Sequence, residues 1–295
     1  KAFMVRDGAF DDVDAAVTWH PGGMTRVDDP LSLANTRMDF HFSGRAAHAA
    51  AQPHLGRSAL DAVELMSVGV NSLREHMPQD ARIHYAYLDA GGKAPNVVQS
   101  RASVRYSIRA LKLHEMLALV ERVKNVAQGA ALMTETGVEF KMFAAVSNHF
   151  ENLTMDTIMQ EALDELGGVP FDDEDRAYAA RIQATLSASD IASEWSVVNQ
   201  PPRDAALCDW VVPMRPGGEV LIGSTDVGDV TWKVPTTEVL VATAAIGTPL
   251  HSWQMTAQGL SGAAHKGMVH AAKAMGRVAQ IVISDPARLA EAKAE

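Results

Sequence analysis

The sequence predicts a two-domain α/β protein, in which an α/β unit is interrupted by an inserted ferredoxin-like domain. Three observations carry this. Residues 34–146 show strand alternation and helical periodicity in the order β-α-β-β-α-β, the split βαβ arrangement. Strand-like and helix-like segments also alternate on either side of that stretch, as an α/β layer requires. Finally, 295 residues suffice for two domains of ordinary size. The expected division is residues 1–33 with 147–295 as one domain, and 34–146 as the other.

Lys1 to Gly8 reads as the end of a helix closed by glycine. A natural start would carry methionine, so the reading here is of a C-terminal portion of a longer protein. Val13 to Trp19 is an apolar β-type run that delivers His20 to a loop, His20-Pro21-Gly22-Gly23. Thr36 to Phe42 alternates as the first strand of the insert. Leu60, Val63, Met66, Val70 and Leu73 recur at helical spacing between Arg57 and Met77. Ile83, Tyr85 and Tyr87 mark a second strand, and Val104, Tyr106 and Ile108 a third. An amphipathic helix follows over Leu113–Leu132, then a strand through Val138, Phe140, Met142 and Ala144.

Beyond the insert, 154–167 and 173–186 read as helices, the second opened by acidic residues that suit a helix N-terminus. Val220-Leu221-Ile222 reads as a strand ending in Gly223-Ser224-Thr225-Asp226-Val227-Gly228-Asp229. Thr237–Ile246 is another strand, ending at Gly247-Thr248-Pro249-Leu250-His251, and 262–279 an alanine-rich helix.

A net charge of -10 disfavours a nucleic-acid partner, whose phosphates it would repel. The longest apolar runs fall short of the ~20 residues that cross a bilayer, so no membrane partner is expected. Cys208, the single cysteine, leaves no internal disulfide and suggests a reducing, cytoplasmic setting, with the thiol as a small core residue.

His20 and His251 sit where an α/β sheet presents ligands, at the C-terminal ends of strands, and imidazole there suits zinc. Two ligands do not complete a catalytic metal site, and a solvated or capping histidine is the alternative for each. Asn96 and Arg109 flank the third strand of the insert, where an arginine fork matches a carboxylate; a turn asparagine and a surface arginine are the competing readings. His48 stands on a glycine-flanked loop between strand and helix. Asp226, Asp229 and His149 stay open, and His265 and His270 read as structural.

Taken together, Gly44-xxx-His48 with Pro53 and Gly56, Pro95-Asn96-Val97-Val98 before Arg109, Gly223-Ser224-Thr225-Asp226, and Gly247-Thr248-Pro249-Leu250-His251-Ser252 form an ordered set through the whole chain. The set resembles the di-zinc amidohydrolases and peptidases that include aminoacylase and carboxypeptidase G, nearest to their p-aminobenzoyl-glutamate hydrolase branch. Gln99 where many members carry proline, Thr225 in place of glutamate, and one extra residue between His48 and Pro53 depart from the pattern.

The resemblance implies a zinc-peptidase-like α/β catalytic domain with a lid and dimerisation domain inserted at 34–146. It implies two zinc ions in the intact enzyme, or manganese, with His20 and His251 among the ligands. His48 would polarise the scissile carbonyl in a neighbouring protomer's site, while Asn96 and Arg109 would hold the substrate's carboxylate. The implied reaction is hydrolysis of an N-acyl amino acid, p-aminobenzoyl-glutamate-like, by metal-activated water. The implied assembly is a homodimer through the lid, with a second, related polypeptide as a further partner. The family's remaining zinc ligands and its glutamate pair would precede Lys1, so this segment alone is expected to be inactive. A non-catalytic assembly component or a small-molecule binding module are the alternatives.

Overall fold

The computed structural model describes residues 1–28, 32–214 and 223–295. Its elements in chain order are α1 (Ala2–Arg6), β1 (Ala16–Gly22), β2 (Arg26–Asp28), β3 (Ala34–Ser43), α2 (Ala59–Leu73), β4 (Arg82–Asp89), β5 (Arg101–Ala110), α3 (Leu113–Thr134) and β6 (Gly137–Val146). They continue with α4 (Leu153–Leu166), α5 (Asp173–Gln183), α6 (Ala188–Val197), α7 (Val227–Thr231), β7 (Thr236–Ala242), α8 (Trp253–Gln258), α9 (Gly262–Ser284) and α10 (Pro286–Ala294). The result is a mixed α/β protein with two sheets and two hydrophobic cores.

The first sheet has the order β1-β7-β2, with β1 parallel and β2 antiparallel to β7. Near-continuous apolar residues in β7, such as Val239 and Val241, are buried because helices cover them. Met155, Ile158 and Met159 of α4 and Ala271, Ala274 and Val278 of α9 complete that core. Thr237 donates to Asp156 at 2.6 Å, pinning α4 to the strand through a buried polar contact.

Between β2 and α4 lies the antiparallel sheet β4-β5-β3-β6. Its alternation sends Phe40, Phe42, Val104, Tyr106 and Ile108 to one face, where Val63, Met66, Met116 and Val123 of α2 and α3 bury them. Helix α2 begins at Ser58, whose hydroxyl accepts the Asp61 N–H at 3.1 Å, as a favourable N-cap should. The buried Tyr106 hydroxyl contacts Ser67 at 3.2 Å, and burial pushes its pKa up to about 12. The opposite face of β5 carries Arg101, Ser103, Arg105, Ser107 and Arg109, and among the described residues no helix packs on it.

Some sequence expectations shift. The strand expected over Thr237–Ile246 ends at Ala242, because the next residues turn into a buried loop: Ala245 N–H is taken by Gln258 Oε1 at 2.8 Å and Ile246 N–H by Ala206 O at 2.9 Å. His20 belongs to β1 rather than to the following loop, paired in register with Leu240. Helix α6, opened by a Ser187–Asp190 capping box, adds an element that the sequence pattern does not announce. The strand expected at Val220-Leu221-Ile222 lies outside the described residues. Among the described residues, no helix is long and apolar enough to cross a membrane.

Two chain crossings join the sheets, and both are held by the segment 223–232. Leu33 N–H donates to Gly223 O at 2.9 Å, and Thr225 N–H to Ser32 Oγ at 3.2 Å. On the return crossing, Ser147 N–H meets Asp229 Oδ1 at 3.0 Å and Phe150 N–H meets Thr231 Oγ1 at 2.8 Å. Trp232 Nε1 donates to Asn148 O at 2.9 Å, while Asn148 Oδ1 accepts Leu113 N–H at 3.1 Å. His149 sits at this crossing with both ring nitrogens buried and unpaired among the described residues, and burial drives its pKa down to about 4. A neutral imidazole is what such a site tolerates.

Candidate active site

A cavity of about 430 Å³ opens at the ends of β1 and β7, lined in part by His20, Asp28, Glu194, Ser224, Glu238 and Leu250. Ligands of open α/β sheets bind in this position. His20 is exposed there, and its Nδ1 donates to the Pro21 carbonyl at 2.8 Å. A carbonyl can only accept, so Nδ1 carries the proton and Nε2 keeps its lone pair.

The cavity wall also holds a carboxylate pair that sequence reading misses. Asp28 and Glu238 face each other across the antiparallel β2–β7 ladder. They are only 7% and 6% exposed. Burial raises the Asp28 pKa, against the pull of Arg26, whose guanidinium stands 3.0 Å away. Burial, reinforced by the Asp28 charge, pushes Glu238 up to about 7. The one signal for the pair is a lone glutamate inside the otherwise apolar and β-branched run Thr236–Ala242.

Glu194 of α6 forms another part of the wall. It accepts the Gly247 N–H at 3.1 Å, and burial raises its pKa. Gly247 adopts φ +88°, and a Cβ there would lie 2.6 Å from the Ile191 Cα, so only glycine fits. Thr248, Pro249 and Leu250 then line the cavity, while His251, at φ +61°, stands exposed beside them.

At the far end of the insert, His48 and Asn96 come together. Ala49 N–H donates to Asn96 O at 3.0 Å and Val98 N–H to Ala47 O at 3.0 Å, tying the two loops. Gly44 permits this geometry, since a Cβ there would lie 2.1 Å from the Arg57 carbonyl oxygen. Backbone N–H groups of Ala50 and Ala51 donate to His48 Nδ1 at 3.2 and 3.1 Å. Nδ1 is therefore the acceptor, which leaves the exposed Nε2 protonated and able to donate. Arg109 is not with them. It lies near the opposite end of β5, eight residues beyond Arg101, roughly 27 Å at ordinary strand rise.

A divalent metal at the cavity finds His20 Nε2 suited to coordination, but the set is incomplete. Among the described residues, no three His, Cys, Asp or Glu side chains stand close enough to hold a metal ion. Cys208 takes no part: it is buried, its thiol donates to Trp210 O at 3.1 Å, and burial pushes its pKa up to about 11. Asp229 and Asp226 are occupied elsewhere, the first by the crossing at Ser147 and the second by Lys1.

The four-stranded sheet with its two helices matches a known family model: residues 35–134 match the peptidase dimerisation domain. Over those residues the chain carries the M20 dimerisation domain. It is 44% identical over its whole length to the B component of p-aminobenzoyl-glutamate hydrolase of Escherichia coli K12, of which it spans 64%. It is 27% identical over 98% of its length to the Xaa-Arg dipeptidase of Mus musculus, spanning 57% of that protein. Among solved structures, an aminobenzoyl-glutamate utilization protein from Klebsiella pneumoniae superposes with a TM-score of 0.59 at 21% identity, covering 94% of this chain and 56% of that one. A dinuclear metal-binding M20 peptidase from Bacillus subtilis superposes at 0.53 and 16% identity, covering 96% and 61%. The chain thus spans about three-fifths of the relatives it matches.

Proposed function

We propose that this chain belongs to a metal-dependent amidohydrolase that cleaves N-acyl amino acids of the p-aminobenzoyl-glutamate kind and works as a homodimer through the 34–146 domain. The similarity to a p-aminobenzoyl-glutamate hydrolase supports the substrate class. The observation that carries the mechanism is the His48 tautomer. A protonated, exposed Nε2 is the donor needed at a scissile carbonyl, where it stabilises oxygen charge as it develops. Asn96, fixed beside it by backbone pairing, would add a second polar contact to the substrate. Arg109, half-buried and without an ion-pair partner among the described residues, would grip a carboxylate bidentately.

His20 and His251 are the proposed metal ligands of this chain. A bound zinc or manganese ion would supply a nucleophilic water. His20 is pre-oriented for such a ligand role by its bond to Pro21 O, the arrangement that fixes ligand histidines elsewhere.

The two ends of the insert serve different sites in this reading. Arg109 pairs with Asn35, three residues from the cavity-lining Ser32, while His48 lies about 27 Å along the strand. A substrate of this size would not span both within one protomer, which supports supply of His48 by the neighbouring protomer. Mixed dimers test this in the full protein. His48→Ala and Arg109→Ala are each expected to be nearly inactive. Co-refolded one to one, half the dimers are mixed, and each mixed dimer rebuilds one intact site. Activity should return to about a quarter of wild type. No recovery, with mixed dimers verified by tag pull-down, would refute supply of His48 in trans.

A further inference from the structure

The uncovered face of the insert's sheet carries two arginines that no internal contact explains. Register places Arg37 of β3 opposite Ser107 and Asn35 opposite Arg109 of β5, so Arg37 and Arg109 are diagonal neighbours on one face. Asn35 and Ser107 fill the other two corners, joined by a Ser107 Oγ–H donated to Asn35 Oδ1 at 2.8 Å. Among the described residues, neither guanidinium has a carboxylate within ion-pair distance, in a chain with 36 acidic residues. Arg105, one step along the same face, is the contrast. It is locked bidentately to Asp39 at 2.6 and 2.8 Å and capped by the Phe143 ring at 3.8 Å.

Arg109 makes only a long contact to Ser107 Oγ, at 3.5 Å. Burial and the neighbouring Arg37 charge both weigh against its cation, which therefore calls for an anion. Arg82 of β4 adds to the positive charge of this corner, although it is already engaged by the Gln79 and Ala81 carbonyls; the neighbouring His84 is pushed toward its neutral form by burial and by Arg109. Ser32 lines the cavity and Leu33 alone separates it from β3, so the Asn35–Arg109 end of the sheet begins within three residues of the cavity wall.

We propose that Arg37 and Arg109 form a two-guanidinium subsite that selects substrates whose amino-acid half carries two carboxylates, with Arg37 as the specificity-determining residue. The proposal rests on the amidohydrolase reading above and adds a discriminating residue to it. One arginine fork satisfies one carboxylate, so a second adjacent and unpaired fork matches a glutamyl or aspartyl dianion. At a diagonal spacing of about 7–8 Å between the strand positions, both flexible side chains can close on one such group.

The test compares p-aminobenzoyl-glutamate with p-aminobenzoyl-alanine on the full protein, its Arg37→Ala and Arg37→Lys variants, and Arg109→Ala. Arg37 is exposed, so thermal unfolding of its variants should match wild type. For the glutamate compound, Arg37→Ala should raise KM roughly 10- to 100-fold with kcat little changed, and Arg37→Lys should recover part of the loss. The alanine compound should be indifferent to Arg37 and weakened by Arg109→Ala. Equal effects on both compounds, or none, would overturn the role of Arg37. If neither compound is cleaved by wild type, the amidohydrolase reading fails, and calorimetric binding of the two compounds still decides the subsite. Weaker glutamate-compound binding in Arg37→Ala would sustain it, and unchanged binding would sink it.

Discussion

Replacing Glu238 with glutamine should make the protein more stable in alkaline solution and leave it nearly unchanged in acid. Glu238 is 6% exposed, its Oε2 lacks a hydrogen-bond partner among the described residues, and it faces Asp28 across the ladder. Its carboxyl titrates at about 7 instead of the usual 4.5, because burial and the Asp28 charge both disfavour the anion. A folded-state pKa raised above the unfolded one means that folding favours the protonated form. The stability this group contributes is complete below about pH 4.5 and is lost as pH rises through about 7. The shift corresponds to on the order of 3 kcal/mol at most. Glutamine keeps the shape and is never charged. Urea unfolding of wild type and Glu238→Gln at about pH 5 and pH 8.5 should therefore show a gain of roughly 2–3 kcal/mol at the higher pH only. A gain of the same size at both values would mean that packing, not charge, was changed. No gain, or a loss, at pH 8.5 would show that the anion is solvated or paired and that the electrostatic argument is wrong.

Gly247→Ala should destabilise the fold by about 2 kcal/mol or more, because φ +88° is strained for alanine and its methyl would meet the Ile191 backbone; thermal unfolding measures it, and activity should fall along with the displaced 248–251 loop. Phe40→Ala removes a ring at 0% exposure that packs edge-on against Tyr106 and Phe140, for an expected loss of about 3–5 kcal/mol by denaturant unfolding, centred on the inserted domain.

The inserted sheet was legible in the sequence because one face of it is buried and the other is not. In β5 the residues Ala102, Val104, Tyr106, Ile108 and Ala110 alternate strictly with polar ones, and this period belongs to no other element type. The three-residue β2 has too few positions to show a period, and it forms only because β7 supplies its partners. The capping signal of α6, Ser187 followed by Asp190, is present in the sequence without an apolar stripe strong enough to announce a helix. Site chemistry was legible as residue types and illegible as states. Nothing local reveals that Ala50 and Ala51 turn their N–H groups onto His48, or that His20 lies within a strand that continues to Gly22. The Asp28–Glu238 pair and the Arg37–Arg109 corner are products of register between distant segments, which one sequence does not display.

The segment 223–232 couples the two halves of the molecule more tightly than a plain hinge would. Its first residues, Gly223, Ser224 and Thr225, form part of the cavity wall. Its last, Asp229, Thr231 and Trp232, hold the backbone of the return crossing at Ser147, Phe150 and Asn148. Asn148 in turn fixes the start of α3 through Leu113, and α3 packs directly behind the sheet that bears Arg37 and Arg109. A rotation of the inserted domain that kept these four bonds would therefore drag the cavity wall with it. Breaking them would instead expose Asp229 Oδ2 and both nitrogens of His149, groups now sealed from solvent. Hydrating those groups offsets part of what the lost bonds contribute, which lowers the cost of parting the crossing. Motion of the insert and the shape of the cavity are thus bound to one set of contacts, and the arginine corner moves with both.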